Sequence, residues 1–320
     1  MPILDFPLRK LKTYKGMNPK PKDFDAYWDR ALMEMRSLNP KVELKPNHTL
    51  QASYAECFDM FWTGVGGSRI HAKLLKPKKA PKAHPALCVF HGYSGSAGDW
   101  SDKLPYVAAG FTVAAMDCRG QGGSSEDMGG VKGNTLNGHI IRGLDDKPEK
   151  MLYRQIFLDT AQMARIVMDM PDVDAKRVGA TGASQGGGLT LACAALEPRI
   201  ARAAPIYPFL SDYQRVWEMD QAKHAYEELQ QYFRRFDPTH AREKEVFTKL
   251  GYIDNQHLAP RIKAQILMAV GLMDDICPPS TQFAAYNKIR SKKEMVIFPD
   301  YAHEHLPEFG DKVFNFMMGM

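Results

Sequence analysis

Apolar residues along most of this chain fall into short unbroken runs rather than alternating with polar ones. Residues 86–90 (ALCVF), 111–116 (FTVAAM), 177–181 (RVGAT), 203–207 (AAPIY) and 264–270 (AQILMAV) are such runs. A strand covered on both faces has no polar side to show, so it reads in this way. Helical periodicity over 153–170 precedes the third run, another helix opens at Ser184, a third spans 279–289, and a strand over 294–298 leads towards a last helix. Strands that alternate with helices imply a mostly parallel central sheet with helices on both faces, an α/β fold. Two earlier runs, 52–62 and 69–75, flank a turn at 64–67 and read as an antiparallel hairpin at the edge of a mixed sheet. Residues 1–40 form an arm with a helix over 24–35, whose Trp28, Leu32 and Met35 share one face and pack on the core. Residues 210–251 are charged, aromatic and helical in pattern, and they interrupt the alternation between the fourth and fifth core strands as an insertion.

Composition fits one domain over residues 1–320, with 44% apolar and 25% charged residues. The net charge of +5 comes from 42 basic and 37 acidic residues. Its densest basic stretch, 73–82 (KLLKPKKAPK), has no aromatic residue and reads as a solvated loop, so no nucleic-acid partner is expected. No run of about 18 apolar residues occurs, and the first residues lack the apolar core of a secretion signal. The five cysteines are odd in number and widely spaced, as expected of reduced, buried thiols. These features predict a cytoplasmic protein with no membrane partner.

The sequence Gly182-Ala183-Ser184-Gln185-Gly186 follows a buried strand and opens an apolar helix. That is the context of a nucleophile elbow, in which a serine sits on a strained strand-to-helix turn with its hydroxyl raised above the sheet. The flanking glycines let strand and helix approach closely, and the Gln185 amide points at a developing oxyanion. A phosphate-binding glycine turn fits less well, because the motif comes after several strands and no lysine follows Gly188.

A serine hydroxyl needs a histidine to take its proton and a carboxylate to orient that histidine, in the chain order Ser, acid, His. Beyond the insertion lie His257, His303 and His305; His303 closely follows a predicted strand and is the expected base, with His305 a surface companion. The acid is Asp274 or Asp275, both at the end of the fifth core strand, and spacing does not choose between them. One of the two is solvated or caps the following helix. The loop after the first core strand, His91-Gly92-Tyr93, offers the Tyr93 amide as second oxyanion donor, with His91 holding the loop. Arg119, read alone, binds a substrate anion or joins a fixed network beside Asp117. No metal or cofactor is expected, because His303 and His305 are two residues apart with no cysteine cluster near them.

Three motifs in order, Arg119-Gly120-Gln121-Gly122, Gly182-Ala183-Ser184-Gln185-Gly186-Gly187 and His303-Glu304, resemble those of the cephalosporin-C deacetylase and acetyl xylan esterase group, carbohydrate esterase family seven. The resemblance extends to Pro7, Leu8, Lys10, Asp23, Phe24, Tyr27 and Trp28 in the arm, and to 276–281 and 283–287 near the C-terminal end. It implies an α/β-hydrolase fold, Ser184 as nucleophile, His303 as base, Asp274 as acid, and the Tyr93 and Gln185 amides as oxyanion donors. It also implies that residues Arg119, Gly120, Gln121 and Gly122 brace the site instead of binding substrate. Members of the family are similar in removing acetyl groups from small alcohols, including acetylated xylo-oligosaccharides and cephalosporins, and in forming ring-like hexamers. On that resemblance, 210–251 is an interface and lid, and Tyr207, Pro208 and Phe209 lie where they touch the acyl group. The competing expectations are a broader short-chain carboxylesterase, a lipase, a peptidase of the prolyl-oligopeptidase type, and a binding protein without catalysis.

Overall fold

The structure, a computed structural model, describes residues 4–132 and 139–320. Its nine strands are β1 (Glu43–Pro46), β2 (Ala55–Thr63), β3 (Arg69–Pro77), β4 (His84–Phe90), β5 (Thr112–Met116), β6 (Val173–Ala183), β7 (Arg202–Ile206), β8 (Gln265–Gly271) and β9 (Lys293–Phe298). They form one sheet in the order β1-β2-β3-β5-β4-β6-β7-β8-β9. The hairpin β2–β3 is antiparallel, as is the pairing of β3 with β5; from β5 to β9 every pairing is parallel. All five residues of β5 are buried, which explains its unalternating sequence.

Helices Leu152–Met168 and Gln185–Leu196 cover one face, where Phe157, Leu191 and Cys193 pack on Ala86, Cys88 and Val178. Helices Leu104–Ala108 and Phe309–Met318 cover the other through Val107, Val313 and Met317 on Leu87, Val113 and Leu267. Because the helix Gln185–Leu196 is buried all round, it shows no polar stripe. In the arm, the helix Phe24–Ser37 buries Trp28, Leu32 and Met35 along one face. The Trp28 ring stacks on Phe157 at 6.1 Å, and its indole N–H donates to the Tyr252 carbonyl at 2.9 Å.

Some elements differ from the sequence reading. The edge strand β1 was not expected: its residues are all exposed, so no apolar run announces it. Half of the basic stretch, 73–77, lies in β3, where Lys73 reaches the Gly98 carbonyl and Lys76 pairs with Asp172 at 2.6 Å. Both lysines are half-buried in a strand paired on both sides and end on polar partners, so charge alone misreads them as loop. Between β7 and β8 the chain forms helices Tyr213–Glu218, Glu227–Phe236, Glu243–Leu250 and Asn255–Leu258. Their apolar residues Tyr213, Leu229, Phe233 and Phe247 join the main core.

Candidate active site

Strands β4, β6, β7, β8 and β9 run in parallel, so the loops after them open at one edge of the sheet. Ser184 follows β6 with φ 58° and ψ −120°, a conformation that costs a non-glycine residue energy and persists only when its surroundings hold it. Its own backbone is held on both sides: Ser184 N–H donates to the Ile206 carbonyl, and its carbonyl accepts from Gly188 and Phe209, all at 3.0 Å. A Cβ at Gly186 would fall on the Phe90 carbonyl of β4, so this approach of helix to strand requires glycine.

Asp274, fully buried in the turn after β8, accepts through Oδ1 from the backbone N–H groups of Ile276 (3.0 Å) and Cys277 (2.7 Å). Its Oδ2 accepts from Gln282 Nε2 at 3.3 Å and bonds His303 Nδ1 at 2.9 Å. The neighbouring Asp275 is exposed and solvated, and the helix Pro279–Lys288 starts from Pro278 without a side-chain cap. His303 lies in the loop after β9, its ring 4.5 Å from that of Tyr207, while His305 points to solvent. His257 is remote from this group: it bonds the Asn18 carbonyl at 3.1 Å, and burial holds its pKa down to about 3.

A residue the sequence reading missed completes this cluster. The buried Cys277 thiol lies beside the Ser184 side chain, and burial pushes its pKa well above the ordinary value. Donor atoms of Asp274, Cys277 and His303 lie within 4.8 Å of one another, so a single thiol, which the sequence reading did not place there, stands beside His303. These groups make a poor metal site, because both Asp274 oxygens and His303 Nδ1 are committed to hydrogen bonds and the thiol is held protonated. The spacing of Cys277, three residues after Asp274 in the same turn, was the signal available.

The backbone N–H groups of Tyr93, after β4, and of Gln185, at the helix start, have no protein acceptor among the described residues. The loop carrying Tyr93 is pinned from beneath. The Cys118 N–H donates to His91 Nε2 at 3.0 Å, which leaves the His91 proton on Nδ1, 2.7 Å from the Gly92 carbonyl. The Gln185 side chain forms a reciprocal amide pair with Gln121 at 2.9 and 3.0 Å, accepts from Tyr153 at 2.8 Å, and reaches the Gly92 carbonyl at 3.3 Å. Tyr207, the half-buried residue after β7, leans on His303, whereas Phe209 is buried with its ring 5.7 Å from Tyr93. Pro208 lies buried between them.

Arg119 is buried and paired bidentately with Asp159, at 2.6 and 2.7 Å, and also donates to the Val65 carbonyl and Ser68. It belongs to a fixed network, as the motif resemblance implies, but its partner is Asp159 on the helix Leu152–Met168 and not Asp117, two residues before it. Asp117 instead accepts from Ala97 N–H (2.6 Å), Ser124 N–H (2.9 Å) and His71 Nδ1 (2.6 Å). Gly120 takes φ 68°, and Gly122 N–H donates to the Gly95 carbonyl at 3.0 Å, which ties this turn to the Tyr93 loop.

The acetyl xylan esterase (AXE1) family model matches residues 1–320. The chain belongs to the acetyl xylan esterase family. The family's members are carboxylic ester hydrolases, and the fold is that of the α/β hydrolases. Acetyl xylan esterase 1 from Thermoanaerobacterium sp. JW/SL YS485 is 64% identical in sequence, with TM-score 0.97 over 98% of this chain and 99% of that one. An acetyl xylan esterase from Paenibacillus sp. R4 is 35% identical, with TM-score 0.93 over 98% and 99% of the two chains. The acetyl esterase Axe7A of Xylanibacter ruminicola is 28% identical over 301 residues; the match covers 90% of this chain and 65% of that longer protein.

Proposed function

We propose that this member of the acetyl xylan esterase family hydrolyses acetate esters of small alcohols through an acetyl-enzyme on Ser184, with acetylated xylo-oligosaccharides and cephalosporin C among its substrates. The observation that carries this reading is the bond from Asp274 to His303 Nδ1 at the sheet edge that also presents Ser184 on its strained turn. With Nδ1 so engaged, Nε2 is the ring atom left to exchange a proton with the serine. Ser184 Oγ forms a bond to the acetyl carbonyl carbon while its proton passes to His303 Nε2. The oxyanion rests on the N–H groups of Tyr93 and Gln185. Collapse breaks the carbon–oxygen bond to the alcohol, which leaves with the proton from His303. A water then gives its proton to His303 and adds to the acetyl carbon; the bond to Ser184 Oγ breaks as His303 returns that proton to it, and acetic acid leaves. On this reading Tyr207, whose ring leans on His303, bounds the acyl side, while the buried Phe209 backs the Tyr93 ring.

Two further properties belong to this reading. The first is a ring-like hexamer in which 210–251 narrows the entrance, supported by the family resemblance. The second is a cytoplasmic location, supported by five buried cysteines without disulfides.

The test compares 4-nitrophenyl acetate, 4-nitrophenyl octanoate, an anilide of acetic acid, acetylated xylo-oligosaccharides and cephalosporin C by kcat/KM. Acetates should exceed the octanoate and the anilide by at least about a hundredfold, since one extra methylene alone is worth roughly 1–3 kcal/mol in a fitted pocket. Octanoate as the better ester would favour a lipase, and anilide cleavage a peptidase. Ser184→Ala should lose about 10⁴-fold or more in kcat while folding normally; full activity in that variant would remove the serine from its role.

A further inference from the structure

A carboxylate outside the catalytic group reaches the loop that carries one of the oxyanion N–H groups. Glu228 lies on the helix Glu227–Phe236, in the excursion between β7 and β8, and is 1% exposed. Its Oε1 accepts from the Tyr93 phenol at 2.9 Å and from His139 N–H at 3.0 Å. Its Oε2 accepts from the consecutive N–H groups of His139, Ile140 and Ile141 at 3.2, 2.9 and 3.1 Å. Successive backbone N–H groups that converge on one anion form a concave anion-binding turn, here filled by a side chain of the same chain. The segment at 139–141 is linked to the Tyr93 loop a second time, by His139 Nε2 and Ser94 Oγ at 3.0 Å and by the edge contact of the His139 and Tyr93 rings at 4.7 Å.

From beneath, His91 and the Gln185 side chain hold the loop through Gly92, one residue before Tyr93. From above, Glu228 grips the phenol of Tyr93 itself. A ring in edge contact with His139 and Phe209 and bonded at its hydroxyl leaves its own peptide little freedom, and Ser94, which follows, takes φ 56°. An oxyanion donor works only when it is already aimed at the place where charge develops, so the cost of aiming it must be met by the folded protein. We propose that Glu228 is a positioning residue for the oxyanion hole, acting through the Tyr93 phenol and the 139–141 turn. The excursion between β7 and β8 thereby has a part in the chemistry, and the inference rests on the reading of Tyr93 and Ser184 given above.

The experiment uses the full chain with 4-nitrophenyl acetate, and with an aryl trifluoromethyl ketone whose adduct on Ser184 carries the oxyanion. Tyr93→Phe removes only the link to Glu228; Glu228→Ala removes all of it, and Glu228→Gln keeps one acceptor oxygen. Losing an oxyanion donor outright costs about a hundredfold to a thousandfold in turnover, so misaiming one in Tyr93→Phe should cost roughly tenfold to a hundredfold in kcat. KM should stay within about twofold, the ketone should bind more weakly by the same factor as kcat falls, and Glu228→Gln should recover part of what Glu228→Ala loses. The proposal is overturned if Tyr93→Phe and Glu228→Gln keep wild-type kcat, if only KM moves, or if the ketone affinity is unchanged while kcat falls. Tyr93→Phe deletes one hydroxyl and keeps the ring, so it decides the matter even where Glu228→Ala does not fold. Ser184→Ala in the same assay separates the two readings: if it retains activity the esterase mechanism fails, whereas wild-type turnover that depends on Ser184 but not on Glu228 sinks only this inference.

Discussion

At the scale of single residues, burial and hydrogen bonding separate side chains that the sequence leaves equivalent. Asp274 and Asp275 are adjacent carboxylates at one strand end, yet Asp274 is enclosed by two backbone N–H groups, Gln282 and His303, while Asp275 faces water. The two Asp274 N–H donors fix its rotamer and aim Oδ2 at the imidazole. Asp274→Asn would place an amide where an acceptor is needed and favour the wrong tautomer of His303, so kcat should fall about 10⁴-fold with the protein still folded. Asp275→Asn should leave kcat within about twofold, since exposed substitutions away from a site perturb little. Steady-state kinetics on the two variants checks both, and equal losses would contradict the assignment of the acid. Cys277 shows the opposite limit: among five buried thiols its only local mark is its spacing from Asp274, and the fold sets it beside Ser184.

At the scale of elements, the elbow depends on how closely the helix Gln185–Leu196 sits against β4. A methyl group at Gly186 would strike the Phe90 backbone, which has no side-chain freedom with which to yield. Gly186→Ala should therefore cost at least about 1–3 kcal/mol of stability, as overpacking does, and lower activity because Ser184 moves with the helix. Gly310, in the helix Phe309–Met318, is the control: nothing lies within 4 Å of its added Cβ, so Gly310→Ala should be neutral or stabilise by about 0.5–1 kcal/mol. Chemical denaturation and ester turnover of the pair test the argument, which fails if both substitutions behave alike. The core strands were legible as apolar runs because each is buried on both faces, and the arm helix as a 3.6-residue stripe ending at Met35. Strand β1 was not legible, because an edge strand with four exposed residues carries no hydrophobic signal.

At the scale of the whole molecule, stability as a function of pH reflects buried carboxyl groups far from Ser184 in sequence. Burial tends to raise the pKa of Asp117, but its bonds from His71 and from the Ser124 and Ala97 N–H groups outweigh that and hold it at about 2. That depressed value stabilises the fold above the unfolded pKa of about 3.9, and the contribution is lost as pH falls through about 2. Asp254 runs the other way: burial, and then the neighbouring Asp212, raise it to about 7. Its ionisation is penalised in the folded state, so stability declines as pH rises from about 4 towards 7. These two groups place the maximum between them. The urea midpoint should be higher at pH 5 than at pH 8, Asp254→Asn should shrink that difference, and Asp117→Asn should flatten the loss below pH 4. A wild-type midpoint that rises from pH 5 to pH 8 would contradict the assignment.

What the sequence determined by itself is whatever local pattern encodes: the alternation of buried strands and helices, the Gly-x-Ser-x-Gly turn, the order Ser, acid, His, and a full set of family motifs. Such features involve neighbours along the chain, and they follow from periodicity and backbone sterics. What only the tertiary structure decided is pairing over long separations. Asp159 lies 40 residues from Arg119, Gln185 lies 64 from Gln121, and Glu228 lies 135 from Tyr93. A polar residue carries no mark of its partner, and many partners satisfy the same hydrogen-bonding need, so the choice is made only when packing brings one of them within reach and excludes water from the rest.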